Sequence, residues 1–261
     1  MIFAGIDIGS STAKAVILRK GRIVSTAMMP VTMSVAGVAD DVMADALKRA
    51  GLVLDDLDHV VSTGYGRNAV SFSSSTLSEI ICHAKGVHYW IPQARTIIDI
   101  GGQDSKIIWI NDRGNVANFV MNDKCAAGSG RFLELIAQSL GSSIDQMGAI
   151  CQNSQNPCEI SSTCAVFAES EVVSLRAEGK PIPDLVAGLH RAIAKRVTLM
   201  GVGRGFDKEI VFTGGLARNF GVQRALEEIT SAQVLIPEDP VMTGALGAAL
   251  EARAVGEPTA S

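Results

Sequence analysis

The spacing of apolar and polar residues divides the chain into short stretches of period two and longer ones of helical period. Phe3 to Ile8 predicts a buried strand, Gly9 to Thr12 a turn of small residues, and Ala13 to Leu18 a returning strand. Lys20-Gly-Arg22 suits a tight turn before a third strand over Ile23 to Met28. Ala36 to Ala50 places Val38, Val42, Ala46 and Leu47 on one helix face, and Gly51 marks its end. His59 to Ser62 predicts a short strand closed by Thr63-Gly-Tyr-Gly-Arg67, and Glu79 to Lys85 a helix.

The pattern then restarts. Thr96 to Ile100 is a strand, Gly101-Gly-Gln-Asp-Ser105 a turn, and Lys106 to Ile110 the returning strand. Asn111-Asp-Arg-Gly114 turns the chain into a third strand over Val116 to Met121. Helices are predicted over Gly130 to Leu140, Ala165 to Glu178 and Asp184 to Gly201. A strand over Glu209 to Thr213 ends in Gly214-Gly215, helices follow over Gly221 to Ile229 and Gly244 to Ala254, and the tail from Val255 to Ser261 is expected to fray. The result is an α/β chain with an internal duplication: Ile6-Asp-Ile-Gly-Ser-Ser-Thr-Ala-Lys14 echoes Ile98-Asp-Ile-Gly-Gly-Gln-Asp-Ser-Lys106. The division expected is a first lobe of residues 1–94, completed by a C-terminal helix over 243–261, and a second lobe of residues 95–242.

Composition narrows the classes. The chain has 261 residues, is 47% hydrophobic and carries a net charge of −4, so it can bury a sizeable core but lacks a broad basic surface for nucleic acid. No run of about 18 apolar residues suggests a membrane span, and the first residues turn polar too soon for a signal peptide. A cytoplasmic globular protein with no membrane or nucleic-acid partner is expected.

The two Gly turns carry the first candidate chemistry. A Gly-rich turn that ends a buried strand points several N–H groups at one place, a nest for phosphate oxygens. Gly9, Ser10, Ser11 and Thr12 would supply one nest, and Gly101 and Gly102 the other. Asp7 and Asp99 stand at the strand ends, where a carboxylate can hold hydrated Mg²⁺ or position water, and Lys14 and Lys106 follow each turn. Taken singly, each turn is equally well a hairpin that needs glycine for its backbone angles. No P-loop motif and no dinucleotide fingerprint occurs.

Cysteines carry the second. Cys125 and Cys164 each stand at an apparent helix start, where free N–H groups and the helix dipole favour a thiolate. Cys82, between apolar neighbours, reads as a small buried hydrophobe, while Cys151 and Cys158 border a polar loop. No C-x-x-C pair occurs, which disfavours a zinc ribbon or a cluster built within one chain. His59, His83, His88 and His190 form no metal-spaced set, and Trp90 and Trp109 read as packing residues.

In order and spacing, Asp7-Ile-Gly-Ser, Asp99-Ile-Gly-Gly-Gln and Thr213-Gly-Gly resemble the acetate kinase, sugar kinase, Hsp70 and actin superfamily. That resemblance implies two ribonuclease H-like lobes with ATP in the cleft between them. Gly214 and Gly215 match its adenosine motif, and Gly244 and Gly247 the glycines of its connecting helix. More narrowly, Thr63-Gly-Tyr-Gly-Arg67, Ile98 to Lys106, Met121-Asn-Asp-Lys-Cys-Ala-Ala-Gly-Ser-Gly-Arg-Phe-Leu-Glu134 and Ser161-Ser-Thr-Cys-Ala-Val-Phe-Ala-Glu-Ser-Glu171 resemble the BadF/BadG/BcrA/BcrD ATPase family. Within it, the likeness is to activator components of 2-hydroxyacyl-CoA dehydratases. The resemblance implies a homodimer sharing one 4Fe–4S cluster, with Cys125 and Cys164 matching the ligands, and a two-fold axis would double two thiolates to the four such a cluster takes. Gly128 and Gly130 would let backbone approach the sulfurs.

The function expected is therefore ATP hydrolysis coupled to one-electron transfer at low potential. ATP or ADP and Mg²⁺ would be bound by both turns, with Asp7, Asp99 and Gln103 placing metal, phosphate and attacking water. A ferredoxin or flavodoxin would be the donor, and an iron–sulfur dehydratase or reductase the acceptor. The alternatives are the ATPase component of a benzoyl-CoA reductase, a reductase for a double-cubane cluster protein, a small-molecule kinase of the same superfamily, or a nucleotide-binding iron–sulfur sensor without turnover.

Overall fold

The computed structural model describes residues 1–31, 34–161 and 164–257. Ser162 and Thr163 of the Ser161 motif, and residues 258–261 of the tail, lie outside the described residues. The chain forms two compact units, one of residues 1–93, 110–117 and 241–261 and one of residues 94–109 and 118–240.

In the first unit, β1 (Ile2–Ile8) pairs antiparallel with β2 (Thr12–Arg19), which pairs antiparallel with β3 (Arg22–Pro30). On its other side β1 pairs parallel with β4 (His59–Thr63), and β4 with the short β5 (Ser75–Thr76). Alternation along the strands sorts side chains between two faces. Ala4, Ile6, Ile8, Ala15 and Ile17 pack against Val38, Val42 and Leu47 of α1 (Val35–Ala50). Phe3, Val16 and Leu18 pack on the opposite face with Cys82 of α2 (Glu79–Trp90) and Leu246 and Ala249 of α8 (Thr243–Gly256). Ser34 caps α1 by accepting from Gly37 N, and Gly51 ends it at φ 65°.

The second unit repeats the plan. Its first strand, β6 (Thr96–Ile100), pairs antiparallel with β7 (Ser105–Ile110) and parallel with β9 (Ile210–Thr213). β9 pairs with β10 (Val234–Leu235), and β8 (Val116–Asn122) lies at the far edge. The resulting order, β8-β7-β6-β9-β10, follows the first sheet's β3-β2-β1-β4-β5 position for position. Ile98, Ile100, Ile107 and Phe212 share one core with α3 (Gly130–Ser139), α5 (Ala165–Ala177), α6 (Ile182–Leu199) and α7 (Phe220–Thr230).

Several expectations are corrected. Helix α4 (Ile144–Ile150) was not foreseen; it is a short element closed by a capping box between Ser143 and Gln146. Helix α2 runs on to Trp90, past Gly86, and α8 runs to Gly256, where fraying was expected. Cys125 begins only a single 3₁₀ turn (Ala126–Gly128); α3 starts separately after Ser129.

Candidate functional site: two carboxylate hairpins and a pair of helix-start thiols

In the first unit, register places Asp7 opposite Lys14, and Lys14 Nζ stands 3.4 Å from Asp7 Oδ2. The turn between them is closed by Gly9 N donating to Thr12 O at 3.1 Å. Ser10 and Gly9 are half-buried, Ser11 is exposed, and the Ser11 carbonyl accepts from Val31 N at 2.9 Å. Two glycines leave room for the Asp7 carboxylate. A Cβ on Gly244 would come within 2.8 Å of Asp7 Oδ2, and one on Gly64 (φ 83°) would collide with Oδ1. The sequence Thr63-Gly-Tyr-Gly-Arg67 thus has a physical role beside the candidate acid, which the motif alone did not reveal.

The second unit repeats the register, with Asp99 opposite Lys106 and Gly101 N donating to Asp104 O at 2.9 Å. Its side chains are more completely buried and more densely paired. Lys106 Nζ lies 3.5 Å from Asp99 Oδ2 and is also hydrogen-bonded to Asp104 Oδ2, while Thr213 Oγ1 donates to Asp99 Oδ1 at 2.7 Å. Asp104 and Thr213 were not singled out as site residues. Gln103 is exposed at the tip of the turn. Gly214 (φ 87°) follows β9, and its backbone lies so close to the Ile100 carbonyl that any side chain would collide; Gly215 is exposed.

Each lysine holds its own hairpin's carboxylates, Lys14 that of Asp7 and Lys106 those of Asp99 and Asp104. An aspartate fixed in this way beside a glycine turn has the chemistry to orient a hydrated cation or a water.

The thiols lie in the second unit. Asn122 brackets Cys125, its Oδ1 accepting from Cys125 N at 3.2 Å and its Nδ2 donating to Cys125 O at 2.8 Å. Arg196 Nη2, from the last turn of α6, donates to Cys125 Sγ at 3.4 Å. Ser105, Asn122, Lys124, Cys125, Gly128 and Arg196 line an open recess of about 450 Å³. Cys164 is exposed at the N-terminal boundary of α5 without a side-chain hydrogen bond to the helix, and Glu171 Oε1 holds the preceding chain by accepting from Ser161 N (3.0 Å) and Oγ (2.7 Å). Val166 and Phe167, just after Cys164, are 66% and 69% exposed.

The glycines near Cys125 serve the chain rather than leaving open space around its sulfur. A Cβ on Gly128 would stand 3.0 Å from Asn122 Nδ2 and 3.3 Å from Ser105 Oγ, and one on Gly130 would stand 3.1 Å from Gly101 O. At Gly130 the close approach has a purpose. Gly130 N and Arg131 N, at the start of α3, each donate at 2.9 Å to the carbonyls of Gly101 and Gly102. The glycine turn that follows Asp99 is thus hydrogen-bonded to the helix that follows Cys125.

The remaining cysteines differ in environment. Burial pushes the Cys82 thiol up to about 12, consistent with a packing role. Burial also raises Cys151 and Cys158. Among the described residues, no group of three or more His, Cys, Asp or Glu is placed to hold a metal ion, and no helix is long and apolar enough to cross a membrane.

Duplicated sheets, each with an aspartate before a glycine turn, define the class of fold, one shared with sugar kinases. A hexokinase of the ROK family from Thermus thermophilus shares this fold, with a TM-score of 0.56 at 14% identity over 98% of this chain and 99% of its own. The chain belongs to the BadF/BadG/BcrA/BcrD ATPase family, whose pattern matches residues 4–252. It is 45% identical to the 2-hydroxyisocaproyl-CoA dehydratase activator of Clostridioides difficile, over 97% of this chain and 95% of that one. The structure of that activator with bound ADPNP has a TM-score of 0.93 at 44% identity, covering 98% of this chain and 96% of its own. Component A of the (R)-2-hydroxyglutaryl-CoA dehydratase of Acidaminococcus fermentans gives 0.95 at 40%, covering 98% and 99%. One polypeptide of the benzoyl-CoA reductase of Thauera aromatica is 34% identical over 95% of this chain and 92% of its own. Nucleotide binding and ATP hydrolysis follow from this membership.

Proposed function

We propose that the chain is an activator ATPase that delivers single electrons at low potential to an iron–sulfur dehydratase of the 2-hydroxyacyl-CoA class. The observation that carries this reading is the hydrogen-bonded link from Gly101 and Gly102 to α3, because it ties a phosphate turn to the segment bearing Cys125. Relatives named as dehydratase activators support the acceptor class.

The donor set suits a cluster shared by two copies of the chain. Two thiols stand at helical N-termini, and a 4Fe–4S cluster takes four. Exposed Val166 and Phe167 beside Cys164 supply apolar surface that a second copy would cover. Cys125 and Cys164 from each protomer would hold the cluster, which supplies one-electron redox chemistry. Asn122 fixes the Cys125 backbone and Glu171 the chain before Cys164.

In the hydrolytic half of the function, Gly9 and Gly101 close the two turns with their own N–H groups, which leaves the N–H groups of Ser10, Ser11 and Gly102 to bind phosphate oxygens, with the Thr12 hydroxyl beside them. Asp7 and Asp99 orient hydrated Mg²⁺ and water, with Gln103 completing the water's position. Gly215, with open space beside it, gives backbone room for the nucleotide, while Gly214 and Gly244 let the backbone close on the Ile100 carbonyl and the Asp7 carboxylate. Positioning and electrostatics suffice for phosphoryl transfer, so no phospho-enzyme is required. A change in the 101–102 turn between ATP and ADP is passed to α3 through its two carbonyl contacts, and nucleotide biases the Cys125 segment by its differential affinity for the two states. A reduced ferredoxin or flavodoxin is the electron donor, in an anaerobic cytoplasm.

The benzoyl-CoA reductase polypeptide among the relatives makes a reductase the second acceptor class. A small-molecule kinase would leave both thiols without a role. The test is anaerobic reduction of a purified 2-hydroxyacyl-CoA dehydratase by dithionite with this chain, with and without ATP. Dehydratase activation that requires ATP and is lost in Cys164→Ala is expected; activation independent of ATP, or undiminished in that variant, refutes the reading.

A further inference from the structure

We infer that Arg196 is a positioning residue for electron transfer, donating an N–H···S hydrogen bond to Cys125 that raises the reduction potential of the group this cysteine holds. The inference rests on the reading of Cys125 as a cluster ligand.

The contact comes from a distant part of the chain. Arg196 lies in the last turn of α6, where Ile193, Ala194 and Val197 anchor the helix in the core of the second unit. Its Cδ lies 3.8 Å from where a Cβ on Gly128 would stand, an ordinary van der Waals distance, so the aliphatic stem runs alongside the Cys125 turn. Its Nη2 ends 3.4 Å from Cys125 Sγ. Asn122 fixes the backbone of the same cysteine on both sides, so sulfur and guanidinium are held from two independent elements.

A guanidinium is charged throughout the physiological range and has no acceptor lone pair, so toward sulfur it can act only as a cationic donor. A donor beside a cysteine ligand withdraws density from the sulfur, and hydrogen bonds to the sulfurs are among the levers that set cluster potential. One-electron reduction adds one negative charge, which a fixed cation stabilises more than it stabilises the oxidised form. In a two-fold assembly each protomer contributes one such contact. Arg196 thereby makes the cluster easier to load from its donor, and a movement of the Cys125 segment that lengthens the contact would make the loaded electron more reducing.

Anaerobic, iron-loaded wild type, Arg196→Met and Arg196→Lys are compared by iron content and by a redox titration followed by electron paramagnetic resonance. The expected result is retained iron, with the midpoint of Arg196→Met shifted negative by a roughly tenfold change in the oxidised-to-reduced ratio, about 59 mV for one electron. Arg196→Lys, which keeps the charge and loses the fork, should fall between the two. Retained iron with an unchanged midpoint in Arg196→Met overturns the inference. So does loss of iron from both variants, which would make Arg196 a structural prop. Wild type without iron overturns the cluster reading beneath it, a failure that the iron assay distinguishes.

Discussion

The two hairpins share a register but differ in wiring. Each sets an aspartate opposite a lysine, Asp7 with Lys14 and Asp99 with Lys106, and each closes its turn with a glycine N–H to a carbonyl three residues on. The position of Thr12 in the first is taken by Asp104 in the second, so Lys106 meets two carboxylates where Lys14 meets one. The Lys106 side chain is 4% exposed and that of Lys14 is 14%. The first turn is tied to the end of β3 through the Ser11 carbonyl, and the second to α3 through Gly101 and Gly102. A duplicated unit has kept its geometry and changed what the turn is connected to. The second hairpin is the one joined to the thiol-bearing segment.

The largest effect should come from removing the buried cation. Lys106→Met leaves two buried carboxylates facing each other and should cost about 3–5 kcal/mol in urea unfolding, the range for breaking a buried pair. Lys14→Met, with a more accessible lysine and a single partner, should cost less, about 1–3 kcal/mol, the range for a buried polar group that loses one partner. Equal costs would break the comparison.

Acid should act first on the second unit. Burial depresses His190 from 6.5 to about 4 in the folded chain. Between those pH values the unfolded chain binds the proton and the folded chain does not. Stability is therefore lost as pH falls from 6.5 toward 4, by about 3 kcal/mol at most, and His190 adds no pH dependence above 6.5. Trp90 reports on the first unit and Trp109 on the second. Fluorescence of single-tryptophan variants should show the Trp109 unit losing stability with acid, less steeply in His190→Gln; identical acid profiles with and without His190 would contradict this.

In activity, Asp99→Asn should lower kcat for ATP hydrolysis by roughly 10²-fold, the lower range for a group that positions or activates the nucleophile. Full hydrolysis in that variant would remove Asp99 from the machinery.

The smallest and most selective effect concerns wiring. Gly130→Ala presses on the Gly101 carbonyl at 3.1 Å, and Gly9→Ala on the Thr12 carbonyl at the same distance. Each should shift nucleotide affinity by about 1 kcal/mol, roughly five-fold. In the proposed cluster-bearing dimer, only Gly130→Ala should also alter the cluster's spectrum. An equal spectral response to Gly9→Ala would show that the wiring does not distinguish the hairpins.

Much of this was legible in the sequence because it is local. Period-two strands around Asp-x-Gly turns gave both hairpins, and the echo between residues 6–14 and 98–106 exposed the duplication. Helix α2 was cut short at Lys85 because Gly86 interrupts the pattern; that glycine is needed where α2 meets the Thr243 backbone. Helix α4 was missed because its seven residues include Gly148 and depend on a cap for definition. The pairing of Asp104 with Lys106 lies within the quoted motif but is a side-chain choice that spacing does not fix. Arg196 was invisible for a different reason: its partner lies 71 positions earlier, and only the packing of α6 brings the two together.

The most direct test of the shared-cluster claim is native mass spectrometry of anaerobically prepared, iron-replete protein. The account predicts a particle of two chains carrying the added mass of four irons and four sulfides, with that mass absent in the Cys125→Ala, Cys164→Ala double variant. Iron-replete wild type that flies as a bare single chain, or a double variant that keeps its full complement of iron, would contradict it.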